Sequence, residues 1–371
     1  MTVQNVFFAG GGTGGHIYPA LAVAQQLLNQ DPNVKIQFFC SDRKIDADIL
    51  AKTNFDFIPL PAIGFSPNPL KLLKFLKATR KSYKIAKNLI ESSTGTVMVG
   101  VGGFVSVGPV MAADSIGIPV MMINTDSVPG KANKFLARYA DEIYVHFESS
   151  RKFFSRPEKA IITGCPLRAD FATPDKSRAM KDLGIDPAKK VLLVTGASSG
   201  AKTINDAVCL LLDKLCGLPG WQIVHLTGKQ EYVSVAAKYE TCASGNRVAD
   251  YYDHMADLFA CADLVIGRAG AVSVAEYGAA GVPSICMPYP FHKDNHQKLN
   301  AAELESVGGA IVMKDQIDAE KNAEQLWPVL EKLMNDPGQL EKMAVSARQA
   351  GRIDAASQIA SRILSAYNNA K

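Results

Sequence analysis

The chain has 371 residues, 47% hydrophobic and 20% charged, which fits a soluble globular protein and, by length, two domains rather than one. No apolar run reaches the ~18 residues of a membrane span and no signal peptide precedes the first strand, so a cytoplasmic protein is expected. Seven scattered cysteines without a C-x-x-C pair indicate neither a disulfide framework nor a zinc site.

Charge is uneven along the chain. Residues 1–165 carry 18 Lys and Arg against 12 Asp and Glu, and the remainder is slightly acidic, so a basic first half is expected to face an anionic partner.

The first element is an apolar strand, Val6 to Ala9, followed by Gly10-Gly11-Gly12-Thr13-Gly14-Gly15-His16. Ile17, Leu21, Ala24 and Leu28 then share one face of a helix, with Pro19 expected in its first turn. Five glycines in six positions at a helix start make a site for anions, phosphate above all, because unpaired N–H groups converge there. Gly10, Gly12 and Gly15 also match G-x-G-x-x-G, and Asp42 follows the strand Ile36 to Cys40. A dinucleotide oxidoreductase is therefore a competing reading, although Asp42 comes later than the usual spacing of ~20 residues.

A loop at 64–69 leads into a helix pattern in which Leu72, Leu73, Leu76, Tyr83, Ala86 and Ile90 can share an apolar face. Lys74, Lys77, Lys81 and Lys84 line another, with Leu70 and Phe75 outside the apolar face. The pattern suits both a solvated lysine face and a helix lying on an anionic bilayer. Val97 to Val101 reads as a buried strand ending in Gly102-Gly103-Phe104, and Pro119 to Ile123 as another ending in Asn124-Thr125-Asp126. These loops follow the carboxyl ends of strands, where open α/β sheets bind ligands.

The strand and helix alternation restarts after Gly164. Val191 to Val194 ends in a small-residue turn, 195–201, and later strands are expected at Gln222 to Leu226, Leu264 to Ile266 and Ser284 to Met287. Arg268 to Ser273 passes from strand into helix, offering amides to a diphosphate, and Glu276 lies about two turns in, suited to accept from two ribose hydroxyls. The stretch Pro288 to Gln297 is as dense in polar groups as a sugar-reading loop.

Together GGTGGHIYPALAVA (11–24), GVGGFVS (100–106), SVPGKAN (127–133), GCPLR (164–168), SSGA (198–201), RAGAVSVAE (268–276) and HKDNHQKLNA (292–301) closely resemble one family. It is the MurG family of UDP-N-acetylglucosamine:N-acetylmuramyl-(pentapeptide) pyrophosphoryl-undecaprenol N-acetylglucosamine transferases. The resemblance implies an α/β GT-B fold, two Rossmann-like doubly wound domains facing across a cleft. Residues 1–164 would bind the acceptor, completed by a C-terminal helical segment 349–371, and residues 165–348 would bind UDP-GlcNAc. The reaction implied is inverting transfer of GlcNAc to the muramyl 4-hydroxyl of the lipid-linked acceptor, lipid I, at the cytoplasmic side of the cell membrane.

By the same resemblance His16 and Asp126 are the candidate catalytic residues. UDP-GlcNAc would meet Thr13, Gly14, Gly15, Asp126, Arg168, Ser198, Tyr252, Arg268, Ala271, Val272, Ser273, Glu276, His296 and Gln297. The acceptor diphosphate would meet Gly12, Thr13, Gly15, His16, Gly102, Gly103 and Phe104. No metal or cofactor is required, a divalent cation being a stimulant at most. Partners would be an anionic membrane surface and other cell-wall or division proteins, not nucleic acid. The chain departs from the family at Ile123-Asn124-Thr125-Asp126, where His-Glu-Gln-Asn is usual, and at Ser199 and His296, where Gln is usual. Asp126 then stands as the nearby carboxylate, as base or to orient His16. The departure also keeps open a different acceptor, a UDP-GlcNAc 2-epimerase-like enzyme and a non-catalytic nucleotide-sugar-binding protein.

Overall fold

The computed structural model describes residues 2–197, 200–242, 245–291 and 295–369. They form two compact units, residues 1–168 with 353–371, and residues 169–352. The breaks thus fall at 168/169 and 352/353 rather than at 164/165 and 348/349, because the helix Pro337–Ala350 belongs wholly to the second unit.

The first unit holds seven parallel strands: β1 Asn5–Gly10, β2 Lys35–Ser41, β3 Asp56–Leu60, β4 Thr96–Gly102, β5 Val120–Asn124, β6 Glu142–Val145 and β7 Ala160–Ile162. Their spatial order is β3-β2-β1-β4-β5-β6-β7. The order reverses between β1 and β4, and at such a switch point the loops leaving two adjacent strands diverge and open a crevice. Those loops are the glycine run after β1 and Gly102 to Phe104 after β4.

Alternation along β1 sends Val6 and Phe8 into one core and Phe7 and Ala9 into the other. The first face is covered by the helix Gly14–Gln30 and by the C-terminal helix Ala355–Leu364, whose Ile359 and Ile363 are fully buried there. Arg362 of that helix forms a two-pronged pair with Glu142, at 2.8 and 2.6 Å, and Tyr144 donates to the same carboxylate. The opposite face carries the helices Pro69–Glu91, Val107–Ser115 and Lys131–Leu136.

The helix Pro69–Glu91 corrects the expected apolar face. Its buried stripe is Ala78, Ser82, Ala86 and Ile90, while Leu70, Leu73 and Leu76 are 75%, 51% and 53% exposed. Leu72 and Phe75 are half-buried on the same side as that stripe. Pro19 is also displaced from expectation: the helix begins at Gly14, so Pro19 lies in its second turn and offers no N–H to the Gly15 carbonyl.

The second unit repeats the plan with six strands: β8 Lys190–Thr195, β9 Trp221–Leu226, β10 Arg247–Ala249, β11 Leu264–Gly267, β12 Ser284–Cys286 and β13 Ala310–Val312. The order β10-β9-β8-β11-β12-β13 puts the reversal between β8 and β11, where the chain leaves Thr195 and Gly267. Short strands such as β10 and β13 escape a reading by periodicity, which needs more than three residues.

Cys216 and Cys242 form a disulfide with Cα atoms 5.7 Å apart, although the scattered cysteines gave no sign of one in sequence. The fold supplies the pairing by bringing the chain after the helix Leu212–Leu215 beside the end of the helix Tyr232–Tyr239. Spacing in sequence carries no such signal.

Candidate functional site

The glycine loop in the first unit is less open to phosphate than its composition suggests. Asp46, fully buried in the helix Lys44–Leu50, accepts from the Gly12 amide at 2.9 and 2.8 Å, from the Ser41 amide at 2.9 Å and from the Ser41 hydroxyl. The Gly12 N–H is therefore spent on a carboxylate, which corrects its assignment to the acceptor diphosphate. The amides of Thr13, Gly14 and Gly15 open the helix and have no intrahelical acceptor, so they are the ones left for a ligand. Arg43 reaches the Gly12 carbonyl at 3.4 Å and adds an exposed cation beside these amides.

His16 is held from below. Its Nδ1 lies 3.0 Å from the Gly11 carbonyl and 3.3 Å from the Thr13 hydroxyl. A carbonyl only accepts, so Nδ1 carries the hydrogen, and in the neutral ring Nε2 is then the basic nitrogen. That nitrogen faces Gly102: a Cβ added to Gly102 would stand 3.0 Å from it, and Gly102 has φ +114° besides. A neighbouring Gly103, φ +80°, lets the two glycine loops touch, since a Cβ there would be 2.6 Å from the Gly11 carbonyl. Any side chain at either position would push the histidine or the loop away.

The same point over Gly102 is 3.2 Å from Asn133 Oδ1, a buried acceptor with no hydrogen-bond partner among the described residues. Asn133 Nδ2 donates to Asn124 Oδ1 at 3.1 Å and to the Ile123 carbonyl, and Asn124 Nδ2 donates to the Asp126 carbonyl at 2.7 Å. The segment that departs from the family is thus a hydrogen-bonded loop anchored on Asn133. Gly11 and Thr13 are the partners that hold His16 Nδ1. Phe104 packs edge-on with Phe75, and Phe75 with Phe65, at centroid distances of 6.0 and 5.9 Å. Phe75 is therefore a support of the loop after β4.

In the second unit Gly270 caps the helix Ala271–Ala280, so the amides of Ala271, Val272 and Ser273 open it. Glu276 is half-buried in its second turn. Arg268 is only 8% exposed and its guanidinium is given to protein partners: Nη1 to Asp315 at 2.7 Å and to the Met287 carbonyl at 2.9 Å, Nη2 to the Thr203 hydroxyl at 2.8 Å. Its expected direct contact with the nucleotide is corrected accordingly. Tyr277, fully buried, donates to the Arg268 carbonyl.

Gln297 accepts from the amides of Tyr289 at 2.9 Å and Ala269 at 3.4 Å, which leaves its Nε2 as the end it can offer. His296 begins the helix His296–Ser306. Tyr252 is buried and its hydroxyl donates to Asp182; burial, then that carboxylate, raises its pKa, so this side chain too is spent within the domain. Arg168 is half-buried at the end of the first unit's first segment. Ser198 and Ser199 lie outside the described residues.

Sequence reasoning missed Arg43, Asp46, Asn133, Thr203 and Asp315. Each acts on a loop distant in sequence, and each taken alone is an ordinary polar residue.

Residues 6–145 match the glycosyltransferase family 28 N-terminal domain and residues 191–359 the glycosyltransferase family 28 C-terminal domain. A UDP-N-acetylglucosamine–N-acetylmuramyl-(pentapeptide) pyrophosphoryl-undecaprenol N-acetylglucosamine transferase of Desulfitobacterium hafniense (strain Y51) is 36% identical over 96% of this chain and 97% of its own. One of the same name from Thermoanaerobacter sp. (strain X514) is 34% identical over 95% and 97%. The crystal structure of Acinetobacter baumannii MurG superposes with a TM-score of 0.74 at 28% identity, covering 97% of this chain and 99% of that one. A UDP-GlcNAc 2-epimerase from Neisseria meningitidis, TM-score 0.67 at 16% identity over 98% and 100%, shares the fold. With both halves matched in order and identity sustained along almost the whole length, the chain belongs to the MurG family of N-acetylglucosaminyltransferases, within glycosyltransferase family 28.

Proposed function

We propose that this protein transfers N-acetylglucosamine from UDP-GlcNAc to the 4-hydroxyl of the muramyl sugar of undecaprenyl-diphospho-MurNAc-pentapeptide. The observation that carries the chemistry is His16, whose Nδ1 is committed to the Gly11 carbonyl and whose Nε2 is the basic nitrogen. That nitrogen takes the proton of the acceptor hydroxyl as its oxygen attacks the anomeric carbon. The bond from that carbon to the diphosphate breaks, the centre inverts, and UDP leaves. The amides of Ala271 to Ser273 and the positive end of their helix stabilise the departing diphosphate, with Glu276 on the ribose and Gln297 Nε2 on the sugar. No metal enters this scheme, and a divalent cation is a stimulant at most.

The acceptor diphosphate rests on the amides of Thr13 to Gly15, with Arg43 beside it. Because that acceptor is lipid-linked, the protein works peripherally at the cytoplasmic face of the membrane. Support for this comes from exposed Leu70, Leu73 and Leu76 beside Lys71, Lys74 and Lys77, and from the finding that no helix among the described residues is long and apolar enough to cross a membrane.

The test is UDP release from UDP-GlcNAc with and without a lipid I analogue, for the native chain and for His16→Ala. Release should depend on the analogue and fall by about 10²-fold or more in the variant, with donor affinity kept. Donor binding without acceptor-dependent release sinks the acceptor assignment. Turnover within a few-fold in His16→Ala removes the base assignment.

A further inference from the structure

Two segments expected at or next to the donor meet one buried carboxylate, and a third is tied to it through Arg268. Asp315 follows β13, and its side chain is fully buried. Oδ2 accepts from Arg268 Nη1 and from the Thr203 hydroxyl, and that hydroxyl in turn accepts from Arg268 Nη2. Oδ1 accepts from Asn322 Nδ2 and from the Ile317 amide, both at 2.9 Å, which anchors the carboxylate from its other side.

Each partner controls a different loop. Arg268 starts the turn into the helix Ala271–Ala280. Thr203 is the second residue of the helix Lys202–Leu210, which follows the turn at 196–201. Arg268 also holds the Met287 carbonyl, one residue past β12, where the chain sets out toward Gln297. An ion pair so deeply buried is a poor source of stability, because desolvation offsets most of its attraction. Its worth is geometric: a planar guanidinium held at two corners fixes the direction of the turn it begins. Burial alone would raise the Asp315 pKa, yet the hydrogen bonds from Thr203, Asn322 and Arg268 hold it below the usual carboxylate range, so the group stays charged.

We propose that Asp315, acting through Arg268 and Thr203, is a positioning residue that aims the amides of residues 271–273 at the donor diphosphate. This rests on the reading that those amides bind the diphosphate. Asp315 does no chemistry and contacts no substrate. It sets the angle at which the helix N-terminus meets the phosphates, and thereby the part of donor affinity that UDP has and uridine lacks.

The experiment compares UDP and uridine affinity by calorimetry, and KM and kcat for UDP-GlcNAc, in the full-length native chain, Asp315→Asn, Thr203→Val and Thr203→Ser. Asp315→Asn keeps the shape and removes the charge; Thr203→Val keeps the shape and removes the hydroxyl. Both should lose UDP affinity by about ten-fold while uridine affinity stays within about two-fold, and KM for UDP-GlcNAc should rise with the UDP loss. Thr203→Ser, which keeps the hydroxyl, should restore native values. Should Asp315→Asn fail to fold, the valine and serine pair decides. A parallel loss of UDP and uridine affinity, or unchanged UDP affinity in Thr203→Val, overturns the positioning role while the diphosphate reading stands. A native chain that binds UDP no more tightly than uridine overturns both.

Discussion

His225 shows how far a single residue's chemistry depends on where the fold puts it. It lies on β9, fully buried, with Nδ1 2.9 Å from the Tyr239 hydroxyl and Nε2 3.1 Å from Asn205 Oδ1. Burial pushes its pKa down to about 3, against an ordinary 6.5, so it is neutral in the folded state. The unfolded chain takes up the proton first as pH falls. Stability is therefore complete above about pH 6.5 and is lost between there and about pH 3, at up to ~1.4 kcal/mol per pH unit. Denaturant unfolding of the second unit should show that slope in the native chain, and His225→Gln should flatten it. An unchanged acid slope in the variant would assign the loss to other groups. In sequence the same histidine is one more polar residue in a strand, since nothing local announces that a tyrosine and an asparagine will bracket it. Gly12 gives the converse case. Its motif was legible and its conformational freedom correctly read, but the Asp46 that takes its amide lies 34 residues away and is placed by the packing of another helix.

At the scale of elements, the helix Pro69–Glu91 divides in two. Ala78, Ser82, Ala86 and Ile90 follow the 3.6-residue period onto the core, whereas Leu70, Leu73 and Leu76 lie at other angles around the helix and stay exposed. Large apolar groups left beside Lys71, Lys74 and Lys77 suit the apolar boundary of an anionic bilayer, with each exposed leucine contributing its own buried area. Replacing Leu73 and Leu76 together by Ser should weaken binding to anionic vesicles by about ten-fold or more, at ~25 cal/mol per Å² of apolar surface withdrawn from water. Unfolding free energy should move by less than about 0.5 kcal/mol, because neither side chain is in the core. Vesicle sedimentation checks the first and denaturant titration the second; equal binding would leave the helix a solvated face. Phe75 is the wrong residue for this test, since it supports Phe104.

For the whole molecule, the chain leaves the first unit at residue 168 and returns to it at 353. The return is energetic, not decorative: the C-terminal helix buries Ile359, Ile363, Ala356 and Ala360 on the sheet face made by Val6, Phe8, Val97 and Val99. Ile359→Ala should destabilise the first unit by about 2–4 kcal/mol and leave the second unit's transition in place. Calorimetry of the two transitions checks this, and an equal shift in both would contradict a stabilising role confined to the first unit's core. The second unit has a separate core of its own, built on Leu192, Val194, Ile204, Val208, Leu326 and Leu330.

The repeated strand and helix plan, the glycine turns at the ends of β1, β4 and β8, and the membership of the chain in its family were all legible in the residues alone. Those depend on apolar periodicity, on residues that permit a conformation, and on motifs read in order, all of which are properties of neighbours in the chain. Folding in three dimensions settles which loop amides remain open, which nitrogen of His16 is basic, that Arg268 and Tyr252 turn inward, that Cys216 meets Cys242, and where Leu73 ends up. The His16 tautomer comes from the way the glycine loop folds back on Gly11 and Thr13, and the inward turns of Arg268 and Tyr252 and the Cys216–Cys242 pairing join segments tens of residues apart. Local composition does not encode these contacts.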